Sequence, residues 1–228
     1  MDINKFCSDT ISSDEIDIFK TNARILCTGS SGVGKSQLIN ELIIENHHKF
    51  DKIFIIGPPN DNILERSNIL KEKIVKLDPF PTLQEINEFG EGLHKLVLLD
   101  DVYIKALSDI NVLSYYTHGR HSNISPILIS QNLFGKGKYS RDIVLNCSHI
   151  ILLKTRDLSQ FSILSRQIYG KGLSSKLPDV YKFISKRYSY PHLLIDLSST
   201  IKENLELRSN IVGSAENNFQ TVYIYNQK

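Results

Sequence analysis

The sequence predicts a layered α/β fold around a mostly parallel sheet, and three observations carry that prediction. Apolar runs bounded by polar or turn residues recur along the chain without polar alternation, as strands buried on both faces require. Segments with helical spacing of apolar residues alternate with those runs. A glycine-rich loop, GSSGVGKS at residues 29–36, joins the first run to the first helical segment.

The strands are expected at residues 24–28, 52–57, 95–100, 126–130 and 149–153, each a near-continuous Ile/Leu/Val stretch. Helical patterns occupy 37–46, parts of 60–76, 83–89 and 104–116. After Leu153 the order changes: SQFSILSRQIY at 159–169 and residues 176–185 read as helices, then 192–197 and 221–225 as further strands at the sheet's edge. There is no repeat, low-complexity tract or Gly/Ser linker. Residues 1–20 are therefore expected as an N-terminal extension and 21–228 as one domain.

The 228 residues are 41% hydrophobic and 23% charged, enough apolar content for one full core. A formal charge of +2 places any nucleic-acid surface in local patches rather than over the whole molecule. Cys7, Cys27 and Cys147 are odd in number and far apart, which excludes a disulfide framework and fits a reducing compartment. The acidic N-terminal stretch has no apolar core of signal-peptide length, and no run approaches the roughly 20 residues of a membrane span. The expectation is an intracellular protein without membrane contact, in which Asn123-Ile124-Ser125 and Asn146-Cys147-Ser148 match the glycosylation pattern by chance.

The loop fits G-x-x-x-x-G-K-[ST], in which every position has a task. Gly29, Gly32 and Gly34 allow several backbone N–H groups, with those of Ser30, Ser31 and Val33, to converge on phosphate oxygens. The following helix adds its positive N-terminal end. Lys35 is placed to reach the β- and γ-phosphates, and the Ser36 hydroxyl to ligate Mg²⁺. In KLVLLDDV, residues 95–102, a buried strand delivers Asp100 to its carboxyl end as the metal-side carboxylate. Asp101 beside it can orient or deprotonate an attacking water, which favours hydrolysis over transfer to a bound acceptor. Asp is one methylene shorter than the Glu more usual there.

In ISPILISQNLF, residues 124–134, the strand is followed directly by Gln131, a strand-tip amide able to sense the γ-phosphate. Upstream, Arg120 in THGRHSNIS is the first candidate for an arginine reaching a neighbouring subunit's γ-phosphate, with Arg141 and Arg156 behind it. The competing reading for each is a solvated or salt-bridged side chain. His118 and His121 form H-x-x-H without an evident third ligand, so a metal site there is not expected.

Taken together, GSSGVGKS, LVLLDDV and GRHSNISPILISQNLFGKGKYSRDIVLNCSHIILLK resemble the viral DNA-packaging ATPases of the FtsK/HerA superfamily. The likeness is nearest to those of Polinton-type elements, adintoviruses and virophages, with the poxvirus enzyme more distant. It continues through LSRQIYG, SYPHLLIDLS and LELRSNIVG, over roughly residues 20–226. The resemblance implies an additional-strand P-loop NTPase with helices on both sheet faces and extra C-terminal strands. It further implies a homo-oligomeric ring that docks on a capsid portal or vertex and drives double-stranded DNA inside. The site would act in the host nucleus or a cytoplasmic virus factory, or on the virion.

On that reading the phosphate-binding role falls on residues 29–36, the acidic pair on Asp100 and Asp101, the strand-end amide on Gln131 and the finger on Arg120. The Asp-Asp pair departs from the Asp-Glu of many members. Lys136, Lys138 and Arg141, read as lying on a glycine-containing loop after Gln131, would meet DNA phosphates if the loop faced a pore. YKFISKRYSY, residues 181–190, is a second basic stretch, with aromatics that fit a core equally well. A P-loop nucleotide or polynucleotide kinase, and a low-turnover ATP-dependent assembly switch, stay open as alternatives. A helicase is disfavoured by the lack of room for strand-separating domains.

Overall fold

The computed structural model describes residues 6–12, 17–20, 22–58, 64, 67, 71–77, 80–212 and 219–225. In chain order the elements are β1 (Phe6–Ser12), β2 (Ile25–Thr28), α1 (Lys35–Glu45), β3 (Lys52–Ile56), β4 (Ile74–Leu77), α2 (Leu83–Glu88) and β5 (Lys95–Leu99). Then come α3 (Tyr103–Ala106), α4 (Ile110–Thr117), β6 (Ile124–Ser130), α5 (Ser140–Asn146), β7 (His149–Leu153), α6 (Ser159–Tyr169), α7 (Lys176–Ser185), β8 (His192–Asp196), β9 (Leu207–Ser209) and β10 (Phe219–Tyr225).

The strands form one sheet in the order β1-β10-β9-β8-β7-β2-β6-β5-β3-β4. From β7 to β4 every pairing is parallel, and from β7 outward to β1 every pairing is antiparallel. The loop-bearing β2 sits between β6 and β7, and β6 separates it from the acid-bearing β5. This is the additional-strand arrangement expected from the sequence. It leaves the carboxyl ends of β2, β5 and β6 side by side, where an open α/β sheet builds its ligand site.

Both faces of the parallel half are covered, which explains its continuous apolar runs. Ile25, Cys27, Ile127 and Ile129 share a core with Ile39, Leu42 and Ile43 of α1. Leu26, Leu128, Ile150 and Leu152 face the other layer, with Val112, Tyr115, Ile143 and Leu164. The Tyr116 hydroxyl donates to the Ile25 carbonyl at 2.8 Å, so a tyrosine of α4 satisfies the strand that launches the phosphate loop.

Several elements differ from expectation for identifiable reasons. The helix expected at 104–116 is two helices, because the Asp109 carboxylate accepts the N–H groups of Asn111 (2.8 Å) and Val112 (3.3 Å) and starts a new one. The helix expected within 60–76 lies mostly outside the described residues, and its end is strand: Ile74–Leu77 pairs with β3 as an edge. β1 falls inside the expected extension and pairs over seven positions with β10, as the outermost strand beyond the C-terminal ones. Arg141 is not on a loop but in the first turn of α5. In 181–190 two of the aromatics are structural, whereas Tyr190 is exposed: Tyr181 packs on Phe161 with centroids 5.1 Å apart, and the Arg187 guanidinium stacks 3.8 Å from the Phe183 ring.

Candidate nucleotide site

The phosphate loop leaves β2 and turns over the sheet's carboxyl edge. The Gly29 N–H bonds the Ser130 carbonyl at 3.3 Å and the Ser30 N–H bonds the Lys154 carbonyl at 2.9 Å, so β6 and β7 hold it from either side. Gly34, at φ 88° and ψ 19°, occupies the left-handed region that lets the chain enter α1. Lys35 follows as the first helical residue, nine-tenths buried, its Nζ donating to the Ser30 carbonyl at 2.8 Å. Burial pushes the ammonium's pKa down, against the opposing pull of Cys27, Asp100 and Asp101. An anion beside the amine would favour its charged form.

β5 delivers Asp100 to the same place. Its Oδ1 accepts the Ser36 hydroxyl at 3.2 Å, bringing together the two oxygen ligands expected from the sequence. Burial raises the Asp100 pKa, the neighbouring Asp101 charge adds to the rise, and the Ser36 hydrogen bond opposes it. A carboxylate so placed gains from a cation. A hydroxyl and one carboxylate are the hard oxygen donors that suit Mg²⁺, which keeps its other positions for water and phosphate. No group of three or more His, Cys, Asp or Glu able to hold a metal occurs among the described residues, and His118 and His121 acquire no third partner of that kind.

Asp101 stands at φ 56°, left-handed and exposed, at the mouth of the cleft. For a non-glycine residue this conformation costs on the order of 1 kcal/mol, and Asp tolerates it better than most. The turn directs the chain from β5 into α3. Gly57 explains how β3 lets that turn pass: a Cβ there would lie 2.5 Å from the Asp100 carbonyl oxygen. Nothing in the strand run singles Gly57 out, although a glycine directly after an apolar strand is a signal of close backbone approach.

One cleft of about 320 Å³ collects Ser31, Gly32, Gly34, Lys35 and Ser36 with Asp100, Asp101 and Gln131. Gln131, at the end of β6, thus shares the cleft with the loop and the acids. Its backbone is held by a Ser130 turn, in which the hydroxyl donates to the Asn132 carbonyl (2.7 Å), and by the Gln160 side chain accepting the Leu133 N–H (3.0 Å). Tyr103 and Gln37 also line the cleft. The sequence reading misses both, because Tyr103 lies beyond the acidic pair and Gln37 one residue past the motif.

The arginine candidates divide. Arg120 is exposed on the 3₁₀ turn Gly119–Ser122, at the start of β6, while Gln131 follows its end. Seven strand residues separate them, about 20 Å, so Arg120 lies at the opposite end of the strands from the cleft. Arg156 is exposed in the segment after β7, at the cleft's edge of the sheet, two residues from the carbonyl that holds Ser30. Arg141 is exposed on α5. Among the described residues lining the cleft, Lys35 is the one cation.

Lys136 and Lys138 are exposed on the segment between Gln131 and α5. That segment is not free-standing: the Tyr139 N–H bonds the Leu107 carbonyl at 2.9 Å, and Gly137 packs so closely that a Cβ would fall 2.4 Å from Leu107 Cβ and 2.6 Å from its carbonyl oxygen. Leu107 ends the short helix that follows the acidic pair. The basic segment is thereby joined both to Gln131 and to the acid-bearing turn.

Compared with solved structures, the chain is similar to the genome packaging NTPase B204 of Sulfolobus turreted icosahedral virus 2. The complex with AMPPCP aligns with a TM-score of 0.54 and 17% identity, over 79% of this chain and 95% of that one. The complex with sulfate gives 0.54 and 15%, over 80% and 94%. The complex with AMP gives 0.52 and 16%, over 79% and 96%. At these identities the likeness shows the fold, that of a P-loop NTPase. No protein-family model and no curated protein matches the chain.

Proposed function

We propose that this chain is the ATPase of a viral genome-packaging motor of the FtsK/HerA superfamily, hydrolysing ATP between subunits of a ring to drive double-stranded DNA into a preformed capsid. One observation carries the reading. Lys35, Ser36, Asp100, Asp101 and Gln131, drawn from three neighbouring parallel strands, converge on a single cleft. The B204 likeness supports the packaging class, genome packaging being the role of that protein.

In this reading the loop N–H groups and Lys35 bind the phosphates, and Lys35 Nζ exchanges the Ser30 carbonyl for phosphate oxygen. Mg²⁺, when bound, neutralises phosphate charge, and Ser36 with Asp100 would hold it. Asp101, exposed at the mouth, accepts a proton from or orients the attacking water, while Gln131 contacts the γ-phosphate. The cleft has no arginine of its own among the described lining residues, which supports supply from a neighbouring copy. Arg120, far from its own site, is available for that role, and Arg156 is the alternative that already lies on the cleft side. Lys136, Lys138 and Arg141 meet DNA phosphates in the ring's channel. A capsid vertex or portal protein is the docking partner, inside the host nucleus or a cytoplasmic factory.

Single-site substitutions of the three arginines separate the assignments. Mixing an Asp101→Asn subunit with an arginine variant restores turnover only if that arginine works in trans, since wild-type acids and a wild-type finger then meet at one interface. If no arginine variant lowers turnover, the interface mechanism is wrong. Label appearing on a nucleoside or polynucleotide hydroxyl in place of free phosphate establishes the kinase.

A further inference from the structure

Gln131 is exposed in the cleft, and among the described residues no hydrogen bond holds its side chain. Its aim is therefore set by the backbone that carries it out of β6. Two restraints act there. One is local: the Ser130 hydroxyl donates to the Asn132 carbonyl at 2.7 Å and accepts the Asn132 N–H at 3.2 Å. The other comes from 27 residues away, where Gln160, in the first turn of α6, accepts the Leu133 N–H through Oε1 at 3.0 Å.

The Gln160 amide is engaged at both ends. Its side chain also hydrogen-bonds Asp157, whose carboxyl is held below its usual range by Ser159 first and by Gln160 in smaller part. An ionised carboxylate only accepts, so the Gln160 nitrogen donates to Asp157 and the oxygen is left for Leu133. Asp157 Oδ1 accepts the Ser159 N–H at 2.9 Å as well, which ties it to the start of α6. That helix is itself fixed, since Phe161 packs on Tyr181 and the Ser165 hydroxyl donates to the Leu173 carbonyl at 2.6 Å. Leu133 is buried in the same core as Phe161 and Leu164.

The stretch from the end of β7 into α6 also registers the phosphate loop. The Lys154 carbonyl accepts the Ser30 N–H at 2.9 Å, and a Cβ on Gly29 would lie 2.9 Å from Leu153 Cβ. Residues 153–160 thus hold the loop through their backbone and the Gln131 arm through one side chain. The spacing between the two sides of the cleft is referenced to this single stretch.

From that juxtaposition we propose that Gln160 is a positioning residue, which sets the distance of Gln131 from the phosphate loop. It does not line the cleft, and it acts through Gln131. The role rests on the reading above in which Gln131 contacts the γ-phosphate of ATP. A displaced Gln131 leaves ground-state binding to the loop and Lys35, and removes stabilisation that arises in the transition state. The defect therefore falls on kcat and spares KM.

The experiment is steady-state phosphate release by the full chain with Mg-ATP. Gln160→Leu, of similar size but without an acceptor, lowers kcat about 10-fold and leaves KM within about 2-fold. Gln160→Glu combined with Asp157→Asn exchanges the donor and acceptor between the two side chains and keeps an oxygen for the Leu133 N–H. That pair returns kcat to within about 2-fold of wild type. In a Gln131→Ala background Gln160→Leu has no further effect, because the group it positions is gone. Full kcat in Gln160→Leu, a loss that adds to that of Gln131→Ala, or a loss that the exchange fails to restore overturns the positioning role. Wild type without turnover, or Gln131→Ala with full turnover, overturns instead the sensor reading beneath it, and the role falls with that reading.

Discussion

Asp196→Asn tests the antiparallel half of the sheet, where β8 pairs with β9. Arg208, on three-residue β9, has no exposed surface, and its Nη2 donates to Asp196 Oδ2 at 2.7 Å. Nη1 reaches the Leu205 carbonyl at 2.9 Å, while Nε has no partner among the described residues. The other carboxylate oxygen accepts the Ser198 hydroxyl (2.6 Å), the Ser198 N–H (3.0 Å) and the His149 ring at 3.4 Å. Asn preserves the shape but removes the charge, leaving a guanidinium buried without its counter-ion. Breaking one side of such a pair costs about 3–5 kcal/mol. For a domain of this size that is a fall in Tm of roughly 6–20 °C.

The pH dependence follows from the same contacts. Burial alone would raise the Asp196 pKa, but the His149 ring, the Ser198 hydroxyl and Arg208 outweigh it and hold the carboxyl well below the usual range. A carboxyl depressed in the folded state contributes stability that is present above its unfolded pKa, near 4, and is lost as pH falls through the folded value. Chemical denaturation of wild type and variant from pH 7 to pH 2 measures both effects. The two should differ most at neutral pH and converge in acid. Asp196→Asn/Arg208→Met, which removes both charges, should recover part of the loss. A single-variant loss below about 1 kcal/mol, or a double variant no better than the single, refutes the assignment of the penalty to an orphaned Arg208.

Other outcomes follow from the site. Lys35→Ala should lower turnover by about 10²–10³-fold, since it removes a preorganised donor to the developing charge, and should abolish tripolyphosphate binding; phosphate-release kinetics and calorimetry check it. Gly137→Ala forces a Cβ into the Leu107 backbone and should cost about 1–3 kcal/mol while ATP binding persists, whereas Gly172→Ala, with nothing within 4 Å, should be near neutral in thermal denaturation. Because burial and Asp101 raise the Asp100 pKa, the acid limb of the rate profile should lie above the ordinary carboxylate range, with activity lost as pH falls and Asp100 protonates. A limb at or below the range of a free aspartate contradicts that placement.

The parts legible in the sequence share a physical cause. Strands buried on both faces cannot alternate, so β2, β3, β5, β6 and β7 announce themselves, and the P-loop's chemistry leaves little choice of residue at Gly34, Lys35 and Ser36. Elements that break those conditions are silent. β9 is short and centred on a charged residue that only its partner Asp196 makes tolerable inside. β1 and β4 lie at the sheet's edges, where residues such as Asp9 and Lys76 meet solvent and the apolar signature fades. The break between α3 and α4 depends on whether Asp109 caps or continues a helix, which tertiary packing decides. Arg120 precedes Gln131 in one short stretch of sequence, yet the intervening strand carries them to opposite ends of the sheet. A depression beside the phosphate cleft joins α1 to residues from 153 to 212, a combination only the folded sheet reveals.

On the proposed function, this site turns over ATP in response to DNA. The most direct measurement is phosphate release by the purified chain with and without double-stranded DNA, across a salt series, beside Asp101→Asn. The account predicts a rate that rises with DNA, falls as salt weakens phosphate contacts, and drops by about 10²–10⁴-fold in the variant. A rate indifferent to DNA at every salt concentration, or one that Asp101→Asn leaves intact, contradicts it.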